Sequence, residues 1–189
     1  MADPLQWKEG EGYDLHVLRG GPPSKSLIDA FDLPVDAATA SLTFTALFEG
    51  APSAHSVAVD FFTGSVVASL RTDATKPPLN NFLIAVLFVD SLDPQGREFR
   101  TEFRVHVHDT VQKIWLTPGS LSVHLGADEN RFTVLATFND GVVGDVTDWE
   151  ALQYQSDAPS VVAVNGRGTL SARGTSGTAR ITARLQLIS

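Results

Sequence analysis

The chain has 189 residues, of which 43% are hydrophobic and 19% are charged. This content of apolar side chains predicts a packed core and excludes a globally disordered chain. The 14 basic and 22 acidic residues give a formal net charge of -8, which disfavours nucleic acid and anionic membrane surfaces as partners. The longest apolar run, residues 82–89, is far shorter than the roughly 20 residues of a membrane-spanning helix. We therefore expect no direct membrane insertion.

The sequence contains no cysteine, which excludes disulfides, thiolate metal sites and a cysteine nucleophile. Its first ten residues lack the basic and apolar segments of a secretory signal. We expect either that the chain starts in the cytosol or that an export signal lies outside this sequence.

Strands are predicted through most of the first half. Residues 25–31 lie between prolines and are expected to form at most a short turn of helix. Alternation of apolar and polar residues predicts strands over residues 41–48, 57–62 and 65–70, with a break at Thr63-Gly64.

An antiparallel hairpin is predicted over residues 82–108. Residues 82–89 are apolar at both parities, as in a central strand covered on both faces. Residues 93–96, Asp-Pro-Gln-Gly, suit a type I turn. The second strand alternates, with one predicted core face and one predicted polar face. The core face carries Phe99, Phe103, Val105 and Val107, and the polar face carries Arg100, Glu102, Arg104, His106 and His108.

We place a domain boundary within residues 109–113, directly after this strand. The prediction is two tandem immunoglobulin-like β-sandwich domains, residues 1–110 and 111–189, in an all-β chain. So short a connection predicts domains stacked end to end.

The second half carries a series of strand and turn motifs in a fixed order. They are LTPG at 116–119, FTVLATF at 132–138, NDG at 139–141, DVT at 145–147, YQSDAPSVVAV at 154–164, GTLSA at 168–172 and GTARITA at 177–183. In order and spacing, residues 114–187 resemble a bacterial immunoglobulin-like domain of group 2. Residues 82–108 look only generically like the last two strands of an immunoglobulin-like or cadherin-like repeat.

The resemblance implies a β-sandwich of the kind found in intimin and invasin type adhesins, other bacterial surface proteins and phage tail proteins. One position departs from the family, which commonly has tryptophan where this chain has Tyr154. Because a phenolic oxygen needs a polar partner or solvent, we expect Tyr154 to lie closer to the surface.

The histidines and acidic residues offer two kinds of candidate metal site. His106 and His108 project from one strand face and could chelate zinc if a third ligand joined them. That ligand would be His16, His55, His124 or a carboxylate. Solvated polar positions are the alternative for this face.

The acidic loops suggest calcium. One candidate group is Asp140, Asp145 and Asp148, for which an ordinary structural loop is the alternative. A second group is Asp90, Asp93 and Asp109, near the predicted junction. The spacing of the first group does not fit an EF-hand loop, and the second lacks the acidic motifs of cadherin-like repeats. The sequence therefore predicts no metal site.

No Gly-x-Ser-x-Gly elbow and no phosphate-binding loop occur in the sequence. A pair of catalytic carboxylates is not excluded by sequence, but small sandwiches rarely form a deep cleft. We therefore predict no catalytic residues, no enzymatic activity and no cofactor. Trp149 and Trp7 are candidate ligand contacts, whereas Trp115 is expected to be packed.

The leading hypothesis is a noncatalytic structural or adhesive module of a bacterial surface, secreted or virion-associated protein, which places it outside the cell. Its partner would be a protein, a cell-surface glycan or neighbouring domains of a longer chain. A carbohydrate-binding accessory module that uses Trp149 or Trp7 is the second hypothesis. A small metal-dependent enzyme centred on His106 and His108 is the third.

Overall fold

The protein is described from a computed structural model. The structure describes residues 6–7, 14–28, 30–32, 40–48, 56–70, 80–91, 98–125, 130–174 and 176–186. These residues form β-strands joined by turns and loops, which confirms the all-β fold class. The chain divides into two compact units, Met1–His108 and Asp109–Ser189.

The described strands of the first unit are β1 (Gln6–Trp7), β2 (Asp14–Leu18), β3 (Phe31–Asp32), β4 (Ala40–Leu47), β5 (Val57–Val59), β6 (Val66–Ala68), β7 (Asn81–Asp90) and β8 (Glu98–His108). Four of them form one sheet with the order β2-β8-β7-β4. In this sheet β2 runs parallel to β8, and the other neighbours are antiparallel. The remaining strands form two smaller pairs, β1 with β3 and β5 with β6.

The predicted hairpin is confirmed as the antiparallel pair β7 and β8, which is in register from Asn81 opposite His106 to Val89 opposite Glu98. The predicted turn at residues 93–96 lies outside the described residues. On one face of β7, Phe82, Ile84, Val86 and Phe88 are buried, whereas Leu83, Leu87 and Val89 on the other face are only partly buried. The predicted cover on both faces is therefore complete on one face only. The core gathers around it and includes the fully buried Phe44, Ile84, Val86, Phe88 and Val105. Burying each of these side chains contributes about 1.5–3 kcal/mol relative to leaving it in water.

The described part of residues 25–31 stays within the predicted limit of a short turn. Ala30 donates its N–H to the carbonyl of Leu27 at 3.0 Å, and Leu27 donates to the carbonyl of Thr63 at 2.7 Å. One detail of the first unit differs from the sequence prediction. The strand predicted to run to residue 62 ends at Val59, because the Asp60 carboxylate accepts the N–H groups of Phe62 and Thr63 and turns the chain.

The described strands of the second unit are β9 (Val111–Thr117), β10 (Asn130–Arg131), β11 (Thr133–Phe138), β12 (Val143–Asp145), β13 (Leu152–Ser156), β14 (Val162–Val164), β15 (Thr169–Ala172) and β16 (Ile181–Leu185). They form three hydrogen-bonded groups, β12-β11-β9, β10-β15-β14 and β13-β16, and the described pairs are all antiparallel. Along β11 the predicted alternation is confirmed, since Val134, Ala136 and Phe138 are all fully buried.

Gly168 ties the turn between β14 and β15 to the side chain of Tyr154. Its φ of 77° lies in the left-handed region, which other residues adopt at a cost of roughly 1–2 kcal/mol. A Cβ atom at Gly168 would stand 2.8 Å from Cζ of Tyr154. Glycine is therefore required at this position for two independent reasons.

We predict that Gly168→Ala lowers the free energy of unfolding of the second unit by about 2–5 kcal/mol, the sum of about 1–2 kcal/mol of backbone strain and about 1–3 kcal/mol of overpacking. Gly166→Ala, two residues away, is the matched control because a Cβ there meets no atom within 4 Å. Urea unfolding followed by tryptophan fluorescence measures both. Equal midpoints for the two variants would contradict the prediction.

Candidate functional site

The structure brings three of the five histidines together on one face of the first sheet. The rings of His16, His106 and His108 lie nearly parallel, with interplanar angles of 13–15°. Their centroids are 4.9 Å apart for His16 and His106 and 5.2 Å apart for His16 and His108. This group is called the histidine cluster below.

The cluster results from the parallel register of β2 and β8. In that register His16 lies opposite His106, and Leu18 lies opposite His108. Residues opposite each other in a sheet share a face, so the period-two spacing of His106 and His108 places both rings beside His16. Of the third ligands considered from the sequence, His16 is the histidine that the fold supplies. His124 lies in the second unit, and His55 lies outside the described residues.

Two of the three rings are buried, which corrects the expectation of a solvated face. His16 is 6% exposed and His108 is 2% exposed. Nδ1 of His16 and Nε2 of His108 are 2.9 Å apart, which is a hydrogen bond between two imidazoles. The third ring, His106, is more exposed, and its Nε2 lies 3.2 Å from Oδ1 of Asp14.

The described residues contain no group of three histidine, cysteine or acidic side chains placed to hold one metal ion. In the histidine cluster, the nitrogens meet each other and Asp14 rather than a common point. The cluster as it stands is therefore a hydrogen-bonded group of stacked rings, and a metal-dependent enzyme gains no support from it.

The acidic residues of the loop around residues 139–148 serve as turn caps. Asp140 accepts the N–H of Val142 at 3.0 Å. Asp145 accepts both the N–H and the hydroxyl of Thr147. Asp148 forms an ion pair with Arg131 at 2.5 Å. These contacts favour the structural loop over the calcium hypothesis.

The second calcium hypothesis is wrong in its geometry. Asp90 ends β7 beside the start of β8, whereas Asp109 follows the other end of β8. β8 is 11 residues long, so about 35 Å of strand separates the two ends. Asp93 lies outside the described residues.

Thr147 is the centre of a polar network in the second unit that the sequence did not predict. Its hydroxyl accepts the buried N–H of Val134 at 2.8 Å and donates to Asp145. Its carbonyl accepts from the hydroxyl of Tyr154 at 3.2 Å. Tyr154 is half-buried. The Thr147 carbonyl is the polar partner that its phenolic oxygen was expected to need.

The environment of Tyr154 affects its ionisation. Burial raises the pKa of Tyr154 above its ordinary value of 10.0, the negative charges of Asp148 and Asp145 raise this pKa as well, and the positive charge of Arg131 lowers it. The folded protein therefore keeps the phenolic proton at a pH where the unfolded chain has lost it. This stabilisation is complete below the unfolded pKa and is lost as pH rises through the folded pKa.

We predict that the second unit loses stability above about pH 10 and that Tyr154→Phe removes much of this loss. At neutral pH the same variant should be less stable by about 1 kcal/mol, because the hydrogen bond to Thr147 is gone. Thermal unfolding from about pH 8 to 11 measures both effects. Tyr13→Phe, which replaces the other tyrosine of the chain, should keep the alkaline loss; a loss of equal size in Tyr154→Phe would refute the assignment.

The tryptophans named from the sequence occupy different settings. Trp149 is partly buried, and its ring packs against Phe138 with centroids 6.0 Å apart. Trp7 pairs with Phe31 in the short β1–β3 ladder. Trp115 is partly buried on β9, and Nζ of Lys113 lies 5.8 Å from the centre of its ring.

The most exposed aromatic pair of the described residues is Phe61 and Phe62, at the end of the predicted strand 57–62. Their side chains are 49% and 71% exposed, and the rings meet edge to face at 5.2 Å. The turn that carries them is closed by Asp60, whose carboxylate accepts three hydrogen bonds from Phe62 and Thr63. These hydrogen bonds to the Thr63 side chain and to the Thr63 and Phe62 backbone lower the pKa of Asp60.

No family model matches the chain, and no curated protein matches it in sequence. Among solved structures, the chain is similar to a mouse cadherin-23 fragment, EC22-24, at 17% identity and a TM-score of 0.36, covering 97% of this chain and 65% of that one. It is also similar to chicken VE-cadherin EC1-2, at 14% identity and a TM-score of 0.34, covering 96% of this chain and 100% of that one. A third similar structure is the protocadherin GammaB4 extracellular domain, at 14% identity and a TM-score of 0.37, covering 98% of this chain and 34% of that one.

TM-scores this low do not assign a family or a function to this chain. The resemblance of residues 114–187 to the bacterial group 2 family therefore stays a prediction. In the part of the chain that the structure describes, no helix has the length and apolar character needed to cross a membrane.

Proposed function

We propose that the chain is a noncatalytic structural or adhesive module, which acts as a spacer or display unit in a bacterial surface, secreted or virion-associated protein. This assigns it to the outside of the cell or to a virion. The observation that carries the proposal is the way the turns are built. Their polar side chains are bound to the backbone of the same unit, as in a stiff framework.

The second unit shows this construction at one turn after another. Asp140 and Asp145 cap the turns on either side of β12. Asn165 accepts the N–H groups of Arg167 and Thr169 at 2.9 Å and 3.0 Å. Asp157 accepts the N–H of Arg180 at 2.6 Å, which joins the end of β13 to the start of β16. Side chains engaged in this way hold loop shape, which a spacer needs.

We predict that these turns are as rigid as the strands on the nanosecond timescale. Backbone amide order parameters of Val142, Thr147 and Arg167 should be about 0.85, equal to those of β11. Nuclear magnetic relaxation of ¹⁵N-labelled protein measures them. Values below about 0.6 would describe flexible recognition loops instead and would count against a spacer.

The exposed pair Phe61 and Phe62 supplies a contact surface for the adhesive form of the proposal. Aromatic side chains on a fixed turn lose little conformational entropy on binding and bury a large apolar area. The edge-to-face arrangement of the two rings suits a protein side chain better than the flat stacking that a sugar ring requires. A protein partner is therefore proposed ahead of a glycan.

A carbohydrate-binding module remains the second function, with Trp149 and Trp7 as its proposed contacts. The packing of Trp149 against Phe138 leaves its ring only partly exposed. A spacer requires no sugar contact from this ring, whereas stacking on a sugar requires an open ring face.

Screening the purified chain against a glycan array, with tryptophan fluorescence recorded in parallel, separates the two functions. The structural module predicts no saturable binding and unchanged fluorescence. Saturable binding with a shifted emission maximum, abolished in Trp149→Leu but retained in Trp115→Leu, would overturn it in favour of carbohydrate recognition.

A further inference from the structure

The buried hydrogen bond between His16 and His108 can exist only while at most one of the two rings is doubly protonated. A hydrogen bond between two imidazoles needs one nitrogen that donates and one that accepts. With 2.9 Å between Nδ1 of His16 and Nε2 of His108, one of these two nitrogens must carry no proton. Protonating both rings would place two N–H groups and two positive charges against each other.

Burial makes a second proton costly. Both rings are shielded from water, at 6% and 2% exposure, so solvent screens the repulsion between two charged rings poorly. His106 stacks on His16 at 4.9 Å and would add a third charge on protonation. An ordinary imidazole takes up its proton near pH 6.5, so the conflict arises under mildly acidic conditions.

The contact itself sets this limit, because one of the two facing nitrogens must lack a hydrogen whatever charges stand nearby. On the same sheet face, β2 contributes Asp14, and β8 contributes Glu102, Arg104 and His106, while β7 contributes the uncharged Asn81 and Leu83. Arg19 and Asp109 follow the paired ends of the two strands, and β6, which bridges to Arg19, carries no charge. Asp14 contacts His106. Because Asp14 is 58% exposed, an ion pair with protonated His106 would add only about 0.2–1 kcal/mol at low pH.

The buried pair joins two strands that are distant in sequence. β2 is an edge strand of the sheet, and its five residues pair with the last five residues of β8. Beyond β2, Arg19 donates its N–H to the carbonyl of His108 at 2.8 Å. Loss of the imidazole contact would therefore loosen β2 and leave the edge of β8 open for pairing.

We propose that the contact between His16 and His108 is a pH-sensitive fastening that holds β2 on β8 at neutral pH and weakens below about pH 6.5. The folded pair binds at most one proton, whereas the two released histidines bind two. Release therefore takes up protons, and its equilibrium constant rises as pH falls. For one additional proton the expected change is about tenfold per pH unit.

Hydrogen exchange of the full chain, read by mass spectrometry between about pH 7.5 and 5.5 and corrected for intrinsic rates, tests this. The opening constant of residues 14–18 should rise about tenfold per pH unit below pH 6.5, while that of residues 133–138 in the second unit stays level. His16→Asn, in which an amide can replace the ring nitrogen, should flatten the dependence. His124→Asn, an exposed position in the second unit, is the matched control and should leave it unchanged.

The proposal is overturned if residues 14–18 open with the same pH dependence in the wild type and in His16→Asn. A second measurement covers the case in which His16→Asn does not fold. Imidazole ¹⁵N chemical shifts of the wild type should show at least one unprotonated nitrogen in the His16 and His108 pair at about pH 5.5, one unit below the ordinary imidazole pKa. Full protonation of both rings in the folded protein at this pH would refute the proposal. Neither result bears on the glycan screen, so this inference and the proposed function stand or fall separately.

Discussion

The first unit depends on the pairing of β7 with β8. This antiparallel ladder is continuous over nine residue pairs, and β4 and β2 attach to its two sides. Because the chain contains no cysteine, this ladder and the apolar side chains it brings together take the place that disulfides hold in many small extracellular domains. The buried Phe88 and Val105 both belong to it, so the core and the sheet share one scaffold.

The second unit relies on a different device, since its strands are shorter. Thr147 stands where β12 has ended, and its hydroxyl and carbonyl continue the hydrogen bonding that a longer strand would supply from its backbone. Tyr154 and Gly168 close the same region, one by donating to Thr147 and the other by leaving room for the phenol ring. A side-chain network thus replaces part of the ladder, which explains why small changes at Gly168 are expected to be costly.

Local pattern predicted the parts of this structure that depend on neighbouring residues. The alternation in β8 identified Phe103, Val105 and Val107 as core residues, and all three are buried. The same rule assigned His108 to the solvated face, and it failed there because it does not foresee the ring of His16 on β2, which lies against His108. Nothing in residues 14–18 indicates a parallel partner so far along the chain, since period-two alternation states which face a side chain takes and not which strand lies beside it.

Loop chemistry was predictable in kind but not in position. Asp, Asn and Gly clusters indicated turns, and the turns occur, but which carboxylate caps which N–H depends on backbone dihedral angles that composition does not fix. The strand expected to end at Phe62 stops at Val59 for this reason. The grouping of Asp90 with Asp109 was also wrong. Asp90 lies at the turn end of the β7–β8 hairpin, whereas Asp109 lies just beyond its open end, so the length of the hairpin separates them.

The contact between His16 and His108 spans 92 positions of the chain, and this has a consequence for biosynthesis. While the polypeptide is being made, β2 is complete long before its partner exists. The first unit cannot close its sheet until residue 108 has left the ribosome, and folding dominated by such distant contacts is slow. Until then β2 cannot pair with β8, and the time needed to synthesise the residues between the two strands sets how long β2 waits for its partner.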